Sequence, residues 1–159
     1  MDTSGYETVE FTETGKSADS AAPWKVLVAD DDKDMHAVVN QALAKLTVAG
    51  RPVQICHAYD GAEACRMLDQ DHDIALVLLD LAMENQDAGL EAARTIRQTQ
   101  GNQRVRIVVC SGNLAPALRA GISSLGFSEC WPKAALTADK LAGIVKAAIA
   151  SYAGGMQHH

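Results

Sequence analysis

The chain has 159 residues, enough for one domain with a full hydrophobic core. Its formal charge of −6 argues against a nucleic-acid binder working through a basic surface, and no apolar run reaches the ~20 residues that span a bilayer. Apolar residues make up 48% of the chain but aromatic ones only 4%, so the core has to be built from Val, Leu, Ile and Ala.

Residues 1–22 read as a flexible acidic leader. Asp2, Glu7, Glu10, Glu13 and Asp19 stand against Lys16 alone, and only Val9 and Phe11 alternate as a short strand would. The leader has no apolar signal core, so a cytoplasmic location is expected. From residue 23 the pattern changes. Lys25-Val26-Leu27-Val28-Ala29 predicts a strand and runs into Asp30-Asp31-Asp32. Met35, Val38, Val39, Ala42, Leu43 and Leu46 recur at helical spacing and predict a helix over 34–47. Gly50-Arg51-Pro52 then breaks the chain, ahead of a strand at 53–58 and a helix at 61–70. The run 74–79 is apolar throughout, as a central strand covered on both faces would be, and it ends on Asp80. A helix at 88–99 and a strand at 105–110 follow, the strand leading into Ser111-Gly112. Pro116 suits the first turn of a helix over 115–124. A strand at 127–131 precedes Lys133, and Thr137 caps a last helix whose stripe is Leu141, Ile144, Val145, Ala148, Ile149 and Tyr152. The domain is expected over 23–153, with 154–159 as a flexible tail.

Five βα units in about 130 residues predict an α/β fold, a doubly wound parallel sheet with helices on both faces. Ligands of such sheets bind beyond the carboxyl ends of the strands. No GxGxxG follows the first strand and no GxxxxGK[ST] exists, which disfavours a dinucleotide fold and excludes a P-loop. Cys56, Cys65, Cys110 and Cys130 form no CxxC and read as small apolar residues in a reducing compartment. His36, His57 and His72 lack zinc-like spacing.

The chemistry-bearing residues sit at strand ends. Asp30, Asp31 and Asp32 follow the first strand, Asp80 the third, Ser111 the fourth and Lys133 the fifth. Like charges so close repel, and a fold keeps them together when a cation or a reaction uses them. Clustered carboxylates make a hard oxygen site suited to Mg²⁺. An aspartate beside such a metal can attack phosphorus, while a lysine and a hydroxyl pair with phosphoryl oxygens. Taken singly, each has a plainer reading: a solvated helix cap, a turn residue, a loop hydroxyl, a surface lysine. Their joint placement is what points to a site.

The segments Val-Leu-Val-Ala-Asp-Asp-Asp, Leu-Leu-Asp-Leu-Ala-Met, Cys-Ser-Gly and Trp-Pro-Lys resemble those of a two-component response-regulator receiver domain, over about residues 24–152. The resemblance implies a flavodoxin-like five-stranded sheet in the order 2-1-3-4-5, which receivers share with flavodoxin. It implies Asp80 as phosphoacceptor, with Asp30, Asp31, Asp80 and the Ala82 backbone carbonyl as Mg²⁺ ligands. Ser111 would be the switch hydroxyl and Lys133 the phosphate-pairing lysine. The implied donor is a histidine kinase or phosphotransfer protein, and the protein is not expected to be an enzyme beyond its own phosphorylation and dephosphorylation. The implied readout is a partner-binding face of the 115–124 helix, the 127–131 strand and the last helix, a face through which a homodimer is also conceivable. No direct nucleic-acid or membrane contact is expected. With no output domain among these residues, a stand-alone receiver or a piece of a longer regulator is expected.

Departures from the family pattern carry information. Receivers usually have Met-Pro and then a glycine; here Met83-Glu84-Asn85-Gln86-Asp87-Ala88-Gly89 replaces the proline and is one residue longer. With His36, the Gly50-Arg51-Pro52 turn, His57-Ala58-Tyr59 and Leu136-Thr137, this loop resembles receivers that precede HD-GYP-type cyclic-dinucleotide phosphodiesterase domains. The usual switch aromatic is Cys130, with Trp131 beside it, so readout is expected to involve these two positions in an unusual way. Lys133 is followed by Ala134 rather than proline. Ala82 has no polar atom to orient an attacking water, so slow self-dephosphorylation is expected. Two other classes compete. A haloacid-dehalogenase-type phosphatase places a second aspartate two residues after the nucleophile, where this chain has Ala82. A pseudo-receiver would act as an interaction module without phosphorylation.

Overall fold

The computed structural model describes residues 22–113 and 125–157. The acidic leader and the helix expected over 115–124 therefore lie outside the described residues, as do His158 and His159. The elements are β1 (Trp24–Ala29), α1 (Lys33–Leu43), β2 (Thr47–Val48), β3 (Arg51–Ala58), α2 (Gly61–Gln70), β4 (Ile74–Leu79), α3 (Ala88–Arg94), β5 (Arg106–Ser111), β6 (Phe127–Pro132) and α4 (Ala138–Gln157). The strands form one sheet in the order β2-β3-β1-β4-β5-β6. All pairings are parallel except β2 with β3. Without the short β2, this is the expected doubly wound sheet, its order 2-1-3-4-5 in the numbering of the five expected strands.

The sixth strand is a correction to the sequence reading. The helix expected over 34–47 stops at Leu43, and the strand expected from residue 53 starts at Arg51. Thr47 and Val48 fold back on Pro52 and Arg51 as a hairpin. Both turn residues have positive φ, Ala49 at 53° and Gly50 at 77°, which matches the twist that tight hairpins need. An alanine in that region is disfavoured by about 1–2 kcal/mol, so other contacts must hold the hairpin. The Trp24 indole N–H donates to the Val48 carbonyl at 2.8 Å, and the Arg51 guanidinium lies 3.5 Å from the Trp24 ring centroid. These contacts are long-range, and helical periodicity through Leu46 concealed them.

Alternation along the strands feeds two apolar layers. Leu27, Ala29, Val77 and Leu79 pack with residues of α2 and α3 such as Leu68 and Leu90. Val26, Val28, Leu76 and Leu78 pack with Val39 and Leu43 of α1 and Leu141, Val145 and Ile149 of α4. Every residue of β4 is buried, as its unbroken apolar run predicted. Burying each such Leu or Val fully stabilises the fold by ~1.5–3 kcal/mol.

The helix expected over 88–99 changes character. After Arg94 it widens into a π-helical turn, Thr95–Thr99. Within that turn Arg97 is buried, and its guanidinium donates to the carbonyls of Leu125, Asn102, Val105 and Gly126 at 2.8–3.1 Å. It thus ties the entries of β5 and β6 together. The Thr137 hydroxyl accepts from Lys140 N–H at 3.2 Å, capping α4 as expected, but the helix runs on to Gln157, into the segment expected as a tail. No helix among the described residues is long and apolar enough to cross a membrane.

Candidate functional site

Ladder hydrogen bonds continue to the point where the strands release their acidic residues. Asp80 N–H donates to Ala29 O at 2.9 Å, and Asp30 N–H donates to Ala58 O at 3.1 Å. The ends of β3, β1 and β4 are thereby held in register, with Asp30 and Asp80 side by side. Asp30 is 1% exposed, Asp80 5% and Ser111 1%, whereas Asp31 is exposed at the mouth. Asp32 turns away: its side chain accepts from Asp34 N–H at 2.9 Å and caps α1.

Lys133, at the exit of β6, reaches into the cluster. Its Nζ lies 2.8 Å from Asp30 Oδ2 and 3.0 Å from Asp80 Oδ2. The Ser111 hydroxyl donates to Asp80 Oδ1 at 3.0 Å, and Ala82 N–H donates to the same oxygen at 3.2 Å. Asp30 Oδ1 accepts from Asp32 N–H at 2.8 Å. A Cβ built on Gly112 would meet nothing within 4 Å, so space beside Ser111 is open.

Burial pushes the Asp30 carboxyl above the ordinary carboxylate range, even though Lys133 and the Asp32 amide pull the other way. Burial also pulls Lys133 down, but its bonds to Asp30 and Asp80 outweigh this and leave it raised. One carboxylate oxygen from each of Asp30, Asp31 and Asp80 lies within 4.8 Å of the others. Three carboxylates against one ammonium leave an excess of two negative charges. The donors are all hard oxygens, partly exposed through Asp31, so the residues fit a small divalent cation that keeps some of its water.

The structure thus gathers Asp30, Asp31, Asp80, Ser111 and Lys133 at one sheet edge, with the Ala82 amide bonded to Asp80. Cys130 and Trp131 lie apart, on opposite faces of β6. Cys130 packs against the layer under α2 and α3, and burial pushes its thiol up, which disfavours a reactive thiolate. Cys110, deeper in β5, is pushed up to about 12. Trp131 packs against the α1 and α4 layer, donates to Glu129 Oε1 at 2.7 Å, and has Lys140 Nζ 5.4 Å from its ring centroid.

Two site neighbours were not assigned a task from sequence. His36 is buried, with Nε2 at 2.7 Å from Asp30 O and Nδ1 at 2.7 Å from His57 Nδ1, and its ring stacks on Tyr59. A carbonyl only accepts, so His36 Nε2 carries a proton, which leaves Nδ1 to pair with His57 Nδ1. The signal available was a histidine beside Met35 in the helical stripe. Glu84, in the loop after Asp80, accepts from Gly61 N–H at 3.1 and 3.2 Å through its two oxygens. Its only sequence signal was the missing proline.

A family model described as the response regulator receiver domain matches residues 26–146. The chain belongs to that family. It is 34% identical over 135 residues to the 3′3′-cGAMP-specific phosphodiesterase 2 of Vibrio cholerae serotype O1. That match takes in 84% of this chain but 26% of the relative, so the chain spans about a quarter of the relative's length. The relative's name agrees with the subclass resemblance. Among solved structures, a signal receiver domain from Vibrio parahaemolyticus superposes with a TM-score of 0.68 at 19% identity, covering 86% of this chain and 98% of that one. The CheX–CheY–BeF3–Mg²⁺ complex of Borrelia burgdorferi gives 0.64 at 23% identity, covering 82% and 92%. At such identities these two likenesses bear on the fold.

Proposed function

We propose that this receiver accepts a phosphoryl group on Asp80 from a phosphohistidine of a histidine kinase or phosphotransfer protein. The observation that carries this reading is the asymmetry of the Asp80 carboxylate. Oδ2 faces Lys133, and Oδ1 faces Ser111 and the Ala82 amide. An Asp80 oxygen attacks phosphorus, the P–N bond to the donor imidazole breaks, and its electron pair leaves with that ring. The product is an acyl phosphate on Asp80. Asp30, Asp31, Asp80 and the Ala82 carbonyl would hold Mg²⁺, which would offset charge on the phosphoryl oxygens. Lys133 and Ser111 then exchange their bonds to Asp80 for bonds to the phosphoryl oxygens. Ser111 ends β5 and Lys133 follows β6, so this exchange pulls on the edge of the sheet and biases the face that includes β6 and α4 toward a partner. Likeness to the Vibrio cholerae relative supports a phosphodiesterase as the output, on the same chain or on a partner.

The test is direct. Acetyl phosphate with Mg²⁺ should yield an acyl phosphate detectable by mass spectrometry in the wild-type protein and none in Asp80→Asn. Beryllofluoride with Mg²⁺ should change Trp131 fluorescence. A wild-type protein that gave neither response would overturn the phosphoacceptor reading and leave the pseudo-receiver.

A further inference from the structure

The loop after Asp80 is fastened at three points. At its neck, Gly89 N–H donates to Leu81 O at 2.8 Å, and a Cβ on Gly89 would lie 2.2 Å from Asp80 O. The two ends of the loop therefore touch with no room for a side chain. Inside the loop Met83 is buried in the layer under α2 and α3, and Asn85 closes a turn by accepting from Asp87 N–H. At its far side Glu84 holds Gly61 N–H, at the start of α2, with both oxygens.

The third fastening reaches across to the exit of β3, whose Ala58 carbonyl holds the Asp30 backbone. The bonds close a ring. Asp80 N–H goes to Ala29, Asp30 N–H to Ala58, Glu84 to Gly61 three residues further on, and Ala82 N–H back to Asp80 Oδ1. Removing Glu84 opens the ring at its exposed side. Without it the stretch from Ala82 to Asn85 is held by the Met83 and Gly89 fastenings alone, and Ala82 loses one of its restraints. Asp60 accepts from Glu63 N–H and Glu63 from Tyr59 N–H, which leaves Gly61 N–H open; Glu84 fills it from the loop after Asp80, so one bond both caps α2 and ties that loop to it.

We propose that Glu84 is a positioning residue for the cation site, a clamp in the place of the family's proline that sets Ala82 and the Asp80 carboxylate by holding the long loop against α2. The inference rests on the cation-binding part of the proposed function and names a residue that the family pattern does not supply.

The experiment is Mg²⁺ binding by calorimetry on the full chain, with no phosphoryl donor present. Glu84→Ala should weaken Mg²⁺ by about tenfold, the scale of one charge-assisted hydrogen bond. Glu84→Gln keeps an acceptor and should recover most of that loss. Gly61→Ala attacks the clamp from its other end, since its Cβ would press on Ala88 O at 3.2 Å and Glu84 Oε2 at 3.4 Å, and it should also weaken binding. Wild-type affinity in Glu84→Ala, even with a lower melting temperature, would overturn the proposal and leave Glu84 as a helix cap. Equal losses in Gln and Ala would assign the effect to charge alone and overturn it too. A wild-type protein that binds no Mg²⁺ would remove the cation reading itself, an outcome separate from failure of the clamp.

Discussion

Asp30 is the residue at which stability and the proposed cation site oppose each other. Its carboxyl is almost wholly buried, and burial raises its pKa despite the Lys133 ion pair. A raised carboxyl favours the fold in its protonated form: that contribution is present below the ordinary carboxylate pKa and is lost as pH rises through the folded-state value. Near neutral pH the charge is therefore a cost that the metal-free fold carries. Asp30→Asn should stabilise the metal-free protein and raise its melting temperature at pH 7, while weakening Mg²⁺ binding. Melting curves at pH 7 and pH 5 check this, since the gain should shrink at the lower pH. A destabilised Asp30→Asn at pH 7 would mean that the ion pair with Lys133 outweighs desolvation. Lys133 is raised as well, so its share of stability persists until pH exceeds the ordinary lysine value and has no part in this window.

At the scale of elements, the return of the loop at Gly89 is the tightest constraint near the site. A Cβ there meets the backbone of Asp80 and Leu81, not a side chain that could rotate away. Gly89→Ala should cost about 3 kcal/mol or more and shift Asp80 as α3 backs off. Denaturant unfolding measures the first effect and Mg²⁺ affinity of the folded variant the second; wild-type values for both would contradict the close approach. The elements also divide by how far they could be read in advance. β4 declared itself through six apolar residues, and α4 through its cap and stripe. The β2–β3 hairpin did not, because a positive φ at Ala49 is contrary to local preference and is held by Trp24, far back along the chain. The π-helical turn after Arg94 was hidden for a similar reason. Nothing in Thr95–Thr99 favours it locally, and it surrounds an arginine two of whose four carbonyl partners, Leu125 and Gly126, lie far along the chain.

For the whole molecule, the site sits on a rigid frame. Strands β1, β4 and β5 are covered on both faces by apolar layers, and the acidic groups emerge where that cover ends. A ligand bound to this edge selects the native fold, so binding appears as stability. Mg²⁺ with beryllofluoride at about a hundred times its dissociation constant should stabilise the wild type by ~2.7 kcal/mol, near 5–10 °C in melting temperature. Asp80→Asn should lack the beryllofluoride increment, and an unshifted wild type would contradict a ligand site at this edge. The class of fold, the order of its main strands and the acidic, hydroxyl and lysine positions were legible in the chain, because period-2 and helical patterns and strand-end residues are local properties. What local pattern could not convey was which groups meet. That Lys133 bridges Asp30 and Asp80, that Ser111 donates to Asp80, and that Glu84 spans from one loop to the start of α2 all depend on approaches between residues distant in sequence. Such contacts are set by how the sheet twists and the helices pack, and they exist only once the chain has closed on itself.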